Sequence, residues 1–454
     1  MLFYSTNQQS PPLPFSQALL QGQAPDRGLY MPEAIPALSA EEISSFSQLE
    51  YHQLAARVMG KFLEGELPPQ ILDALTKDAY DFEVPLEHVH ERQYVMRLDQ
   101  GPTASFKDFA ARMMGRLMNH YLEEQNRNLL ILTATSGDTG SAISHAFLGL
   151  ERIKAVVLFP IDEVTARQRK QMTTLGQNIK VLGLDGKFDT CQALVKQAFS
   201  DPDLQGLNLS SANSINIGRL IPQTVYYFWA YSRLAGNGES ITFSVPSGNF
   251  GDMMGGILAM KMGLPVQKFV IAVNENDEFP KYLETGQYEK IEPSRNCISS
   301  AMNVGHPSNL ARLIDLYGGR MDEKGILHKP ADMETMRREI WTASVNDAQT
   351  RETIKKAWEN HRLLLEPHGA VGWAGLQQYL RKQDSNTRDM LCVSLETAHP
   401  AKFPEEINRL LGFDPELPPA LQGIEEKEEH YEKIPLEYGA FKEYLVSNYQ
   451  AFSH

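Results

Sequence analysis

Asn128-Leu-Leu-Ile-Leu-Thr-Ala-Thr135 is a short, β-prone apolar run that leads into Ser136-Gly-Asp-Thr-Gly140 and then into Ala142, Ile143, Ala146 and Phe147 at helical spacing. A brief continuous apolar run, a glycine-rich break and a helical pattern read as a buried strand, a tight loop and a helix. The rhythm recurs along the chain. Residues 154–159 precede a helical pattern over 164–175, residues 179–184 precede one over 189–199, and 207–209 precede a long apolar pattern over 220–234. Residues 241–245 pass through Ser247-Gly-Asn-Phe-Gly251 into 252–262; 268–273 follow, and near the end 390–395 lead to a helix over 404–411. Strands alternating with helices indicate βαβ units and parallel sheet. In such sheets ligands sit beyond the carboxyl ends of the strands, where these loops lie.

The first 90 or so residues differ. Prolines at 11, 12, 32, 36, 68 and 69 punctuate helical patterns near 40–64 and 70–79, with no strand–helix alternation. The expected organisation is a mainly helical N-terminal module over 1–90, an α/β unit over 91–235 and a second α/β unit over 236–454 that ends in helices. Residues 290–345 are polar and show no clear pattern, and the acidic run at 425–432 reads as a solvated helix face.

With 454 residues, 42% hydrophobic and 22% charged, the chain has ample material for a core. A formal net charge of −14 argues against nucleic acid or an anionic membrane as partner, so an anionic substrate needs a local basic pocket. Cys191, Cys297 and Cys392 lie far apart, with no CxxC pair, which disfavours a disulfide framework or a metal site and suits a reducing compartment. The start lacks the basic and apolar regions of a signal peptide, and no apolar run approaches the roughly 20 residues of a membrane span. A cytoplasmic protein acting on a small molecule is the expectation.

Gly101-Pro-Thr-Ala-Ser-Phe-Lys107-Asp108-Phe109 runs from a turn into Phe109, Met113 and Leu117 at helical spacing. Ser105 and Asp108 resemble a capping box, which puts Lys107 in the first helical turn. The macrodipole disfavours a cation there and encourages loss of its proton, and a neutral amine is the nucleophile that a Schiff base needs. Most first-turn lysines point into water, so the loops carry the decision. The 247–251 loop joins a strand to a helix; its glycines allow close backbone approach, and N–H groups at the helix start suit a phosphate monoester. A nucleoside triphosphate is not implied, because no Lys-Ser or Lys-Thr follows the last glycine. The 136–140 loop, with two hydroxyls and two glycines, can hold a carboxylate. An imine-forming lysine, a phosphate cradle and a carboxylate cradle together are what a pyridoxal phosphate enzyme acting on an amino acid requires.

These stretches, with Ser211-Ala-Asn-Ser-Ile-Asn-Ile-Gly-Arg219, Glu366-Pro-His368 and Thr397-Ala-His-Pro-Ala-Lys-Phe403, resemble the threonine synthase family of fold-type II pyridoxal phosphate enzymes over nearly the whole chain. The resemblance implies two parallel-sheet α/β domains with the cofactor between them. It implies that Lys107 carries the cofactor, that Gly248, Asn249, Phe250 and Gly251, with Asp252 beside them, hold its phosphate, and that Thr397 faces the pyridine nitrogen. Asp138 falls where many relatives have an asparagine near the ring hydroxyl; an ionised aspartate can only accept there. Ser136, Thr139 and Gly140 are implied to contact the substrate carboxylate, and Arg219 with Asn213 and Asn216 the substrate phosphate. Gln100 stands where relatives often have histidine, and Gly369 and Gly372 replace alanine-like positions. His368 reads as a capping or packing residue, His399 and Lys402 as neighbours of the site, and Met113, Met114, Met253 and Met254 as core. The implied reaction converts O-phospho-L-homoserine and water to L-threonine and phosphate, the last step of threonine biosynthesis, in a monomer or homodimer. The alternative is a lyase that eliminates phosphate from a phospho-amino acid to leave a 2-oxo acid.

Overall fold

The apolar runs become the inner strands of two sheets in the computed structural model, which describes residues 1–452 apart from 136, 237, 384–386 and the side chain of 189. One sheet has five strands in the order Glu432–Lys433, Ile179–Leu184, Ile153–Pro160, Leu129–Ala134, Leu209–Ser211, all parallel. Ile131 sits opposite Ala155 on one side and Ser210 on the other. All six residues of Leu129–Ala134 are buried, as expected for a parallel strand covered on both faces.

The second sheet has six strands in the order Ile340–Ser344, Val266–Val273, Ile241–Pro246, Leu391–Glu396, Gln93–Arg97, Leu86–His90. Its first five are parallel; the last closes an antiparallel hairpin. The chain thus enters this sheet with residues 86–97 before building the other, and a C-terminal segment returns to the first sheet. The helix Pro367–Arg381 packs across the second sheet on Gly375, whose added Cβ would lie 2.7 Å from the Cβ of Ala272.

The N-terminal segment carries the helices Phe15–Gln21, Ala40–Ser45, Tyr51–Leu63 and Pro69–Ala79. It also forms a small antiparallel sheet from Leu2–Ser5, Leu13–Pro14 and Tyr30–Pro32. Strands of two to four residues are too short to show alternation, so they leave no trace in the pattern. Tyr51 meets Tyr80, Phe109 and Trp229 edge-on, which fastens this segment to the helix that begins at Lys107.

Three local expectations are corrected. Ser105 does not cap the helix Lys107–Glu124: Phe106 occupies that position, and Asp108 turns back to accept from the Thr103 backbone N–H (2.9 Å) and hydroxyl (2.7 Å). Ser105 is instead held in a bridge with Ala398. The 220–234 pattern is not one helix; Pro222 lies in a 3₁₀ turn, Ile221–Thr224, between the helices Ile217–Leu220 and Val225–Leu234. The 425–432 run is not a helix face either. Glu425 and Glu429 pair with Arg167 and Arg169 of the helix Ala166–Thr173, so its charges strap the C-terminal segment to the first sheet's helices. Among the described residues no helix is long and apolar enough to cross a membrane.

Candidate active site

Lys107 is the first residue of its helix, with its side chain only 13% exposed. Its Nζ lies 3.8 Å from Asp138 Oδ2 and 5.0 Å from the centre of the Phe106 ring. Burial lowers its pKa; Asp138 and Asp252 oppose that, while Lys402 and Arg219 reinforce it.

Asp138 opens the helix that follows the strand Leu129–Ala134. Its Oδ1 accepts from Lys402 Nζ at 2.6 Å and from Gln168 Nε2 at 3.0 Å. Burial alone would raise this carboxyl, but Lys402, Lys107 and those hydrogen bonds hold it well below the usual carboxylate range. It is therefore an anion whose second oxygen faces Lys107. Lys402 is wholly buried and also donates to the Thr103 carbonyl at 2.9 Å. The sequence marked Lys402 as a neighbour but gave no sign of this pairing, because the two residues come from distant motifs joined only by the fold.

The 137–140 loop is glycine-rich for steric reasons as well. A Cβ at Gly140 would lie 2.4 Å from Thr135 Cγ2, and Gly137 adopts φ +134. Thr135 Oγ1 accepts from the backbone of Gly137 (2.9 Å) and Gly140 (2.7 Å), so the Gly140 N–H has an internal partner. Thr139 follows Asp138 in the first turn of the helix. Ser136 lies outside the described residues.

In the 248–251 loop, a Cβ at Gly248 would come within 2.7 Å of Met302 Cα. Phe250 takes the left-handed conformation (φ 63) immediately before the helix Gly251–Lys261, and its ring meets Phe279 at 5.0 Å. The Asn249 side chain is engaged at both ends: Nδ2 donates to Ser214 Oγ (2.5 Å), and Oδ1 accepts from Ser308 N (2.7 Å) and Oγ (2.8 Å). Burial pushes Asp252 up to about 7.

Arg219 is 4% exposed and donates from one terminal nitrogen to the Ala212 carbonyl at 2.7 Å, while its Nε has no acceptor among the described residues. Burial pushes this guanidinium down to about 10, with Asp108 opposing. Asn213 Oδ1 is likewise buried without a partner among the described residues. Asn216 differs: Oδ1 caps the helix Ile217–Leu220, and Nδ2 donates to the Leu19 and Ser211 carbonyls. Its amide is fully committed to holding the loop. Thr397 is buried just past the strand Leu391–Glu396, and its carbonyl accepts from Phe106 N at 2.9 Å, which joins it to the Lys107 turn.

His368 packs as expected. Its Nδ1 pairs with Glu366 at 2.6 Å and its Nε2 accepts from Ala301 N at 3.0 Å, an arrangement for a neutral imidazole protonated at Nδ1. The glycines at 369 and 372 are explained by their neighbours: an added Cβ would lie 1.5 Å from Glu396 Oε2 and 3.0 Å from Pro246 Cδ, respectively. Burial, then the Glu366 charge, raises the Glu396 pKa well above normal, with Arg97 opposing. Gln100 is exposed and donates to Asp99 at 2.7 Å.

The site thus combines a buried lysine, a charge-fixed aspartate, a glycine cradle in backbone contact and a buried arginine awaiting an acceptor. Models of three families match: pyridoxal-phosphate dependent enzymes over residues 84–395, the threonine synthase N terminus over 2–80 and the threonine synthase C-terminal region over 369–445. A threonine synthase from Haemophilus influenzae is 39% identical over 93% of this chain and 94% of its own, and one from Escherichia coli is 36% identical over 99% and 100%. A crystal structure of pyridoxal-phosphate-bound threonine synthase from Brucella melitensis superposes with a TM-score of 0.92 at 34% identity, covering all of both chains. The chain belongs to the threonine synthase family. As a threonine synthase family member it is a pyridoxal-phosphate-dependent lyase, and its residues fit that cofactor. Lys107 is a buried amine, the helix Gly251–Lys261 opens directly after the glycine loop, and Asp138 offers a fixed anion beside the lysine.

Proposed function

We propose that this protein converts O-phospho-L-homoserine and water to L-threonine and phosphate, the last step of threonine biosynthesis, in the cytoplasm and as a monomer or homodimer. The observation that carries the reading is a buried Arg219 with an unpartnered Nε in the same charge cluster as Lys107. A phosphorylated amino acid offers Arg219 the missing acceptor while presenting its Cα to the lysine.

Bound pyridoxal phosphate supplies a carbonyl for the substrate amine and a ring that withdraws electrons from Cα. The 248–251 loop, with Asn249 tying it down, would hold the cofactor phosphate, and the Thr397 hydroxyl would face the pyridine nitrogen without a charge. Ser136, Thr139 and Gly140 hold the substrate carboxylate. Arg219 binds the substrate phosphate with Asn213, and Asn216 positions the turn that carries it. The net change breaks the Cγ–O bond, with phosphate keeping the bonding electrons, removes one proton from Cβ, and adds the hydroxyl of water at Cβ and a proton at Cγ. Lys107 is the group that moves protons: burial brings its neutral amine within reach, and Asp138 steadies the proton when the nitrogen carries one. Lys402 keeps Asp138 ionised, so Asp138 accepts and does not donate. The units 1–90, 91–235 and 236–454 are part of the same proposal, with strands exchanged between the last two.

Purified protein supplied with cofactor and O-phosphohomoserine should yield threonine and phosphate in equal amounts. Phosphate accompanied by a 2-oxo acid would replace this reading with simple elimination.

A further inference from the structure

Two residues that belong to neither glycine loop tie the two anion sites together. Asn309 and Arg312, at the start of the helix Leu310–Leu316, are both fully buried. Asn309 Nδ2 donates to the Asn249 carbonyl (2.9 Å) in the 248–251 loop and to the Ser214 carbonyl (3.4 Å) in the 211–219 loop. Arg312 donates to the Ser214 (3.2 Å), Ile215 (2.7 Å) and Tyr30 (3.2 Å) carbonyls and to Asn309 Oδ1 (2.7 Å). Asn249 completes the link through Ser214 and Ser308.

Each of these Arg312 bonds ends on a neutral oxygen, and burial pushes the guanidinium down to about 9. A buried cation without a counter-ion is costly. Here it stands behind two loops that are each proposed to receive a phosphate, and it fixes the backbone of one loop directly and of the other through Asn309. Ordering either loop by its anion therefore orders the shared contacts, which lowers the cost of ordering the second.

We propose that Asn309 and Arg312 are positioning residues that couple the two phosphate sites, so that phosphate at Arg219 tightens the protein's hold on the cofactor, and the reverse. The coupling is reciprocal by linkage. It rests on the assignment of Arg219 to the substrate phosphate made above. A purely structural staple would lower stability on removal but would leave the two binding events independent.

The test uses cofactor-loaded protein and inorganic phosphate as probe. Release of pyridoxal phosphate into a trapping apoprotein is timed with and without saturating phosphate, at ionic strength matched by potassium chloride. The wild type should release its cofactor about tenfold more slowly with phosphate present, within the usual range of coupling between sites. Asn309→Ala should bring that factor close to one while calorimetry still detects phosphate binding. Arg312→Lys, which keeps the charge and loses the planar fork, should give an intermediate factor. Ser308→Ala, which removes one bond to Asn249, should also reduce the factor and serves if Asn309→Ala does not fold. Retention of the full wild-type factor in folded variants would overturn the coupling, as would phosphate that binds the wild type without slowing release. Phosphate that fails to bind, or binds Arg219→Ala equally well, would instead overturn the Arg219 assignment and the coupling with it.

Discussion

Replacing Arg219 with alanine separates a guanidinium that binds a ligand from one that only packs. One terminal nitrogen is committed to the Ala212 carbonyl, and Nε has no acceptor among the described residues. A charge-assisted contact to phosphate in a weakly screened pocket contributes roughly 2–4 kcal/mol, so KM for the phosphorylated substrate should rise about 30- to 1000-fold. The effect on the unliganded fold should be small, because two terms oppose. The hydrogen bond to Ala212 is worth about 1 kcal/mol, and its loss is offset by removing a buried charge that desolvation has pushed down to about 10. Steady-state kinetics with O-phosphohomoserine, competition by inorganic phosphate and a melting curve of the cofactor-loaded protein together read both effects. Kinetics unchanged from wild type, with a clearly lowered melting temperature, would make Arg219 a packing residue with no ligand to bind.

Gly369→Ala places a Cβ 1.5 Å from Glu396 Oε2 and should destabilise by about 1–3 kcal/mol; combining it with Glu396→Ala should recover part of the loss, whereas strictly additive losses would count against the steric account. Asp252 is raised by burial to about 7, so its contribution to stability is full below its unfolded value near 4 and is lost as pH rises through about 7. Asp252→Asn should accordingly flatten the fall in melting temperature of the cofactor-free protein across that window, and an unchanged slope would show that Asp252 is not the titrating group. Thr397→Asp should shift the visible absorbance of the cofactor-loaded protein, since a nearby anion favours a protonated ring nitrogen; a wild-type spectrum would mean that Thr397 does not touch the ring.

The parallel sheets were legible because buried parallel strands are continuous apolar runs bounded by glycine. The pattern at 128–135 becomes the strand Leu129–Ala134, and the one at 179–184 is the strand Ile179–Leu184 to the residue. The strands Leu13–Pro14 and Tyr30–Pro32 were not legible, being too short for a period to register. Lys107 could be singled out from its own segment, but the charges that surround it could not. Asp138, Lys402, Asp252 and Arg219 arrive from four other stretches, and only tertiary structure brings them within electrostatic reach. Arg312 was invisible for a different reason. Asn309-Leu-Ala-Arg-Leu-Ile-Asp-Leu316 falls in the polar stretch 290–345 that shows no clear pattern, whereas in the fold the carbonyls of the 214–215 turn and of Tyr30 close over Arg312. Ser105 and Asp108 matched a capping box in spacing, yet the carboxylate found a nearer partner in Thr103.

In the proposed function Lys107 carries the cofactor and moves the protons. Borohydride reduction of the cofactor-loaded protein, followed by digestion and mass mapping of the pyridoxyl group, tests it most directly. The label should fall on Lys107, and Lys107→Ala should lose both the label and threonine formation while melting as a folded protein. A label on Lys402, the other buried lysine beside Asp138, or threonine formation by Lys107→Ala would contradict the account.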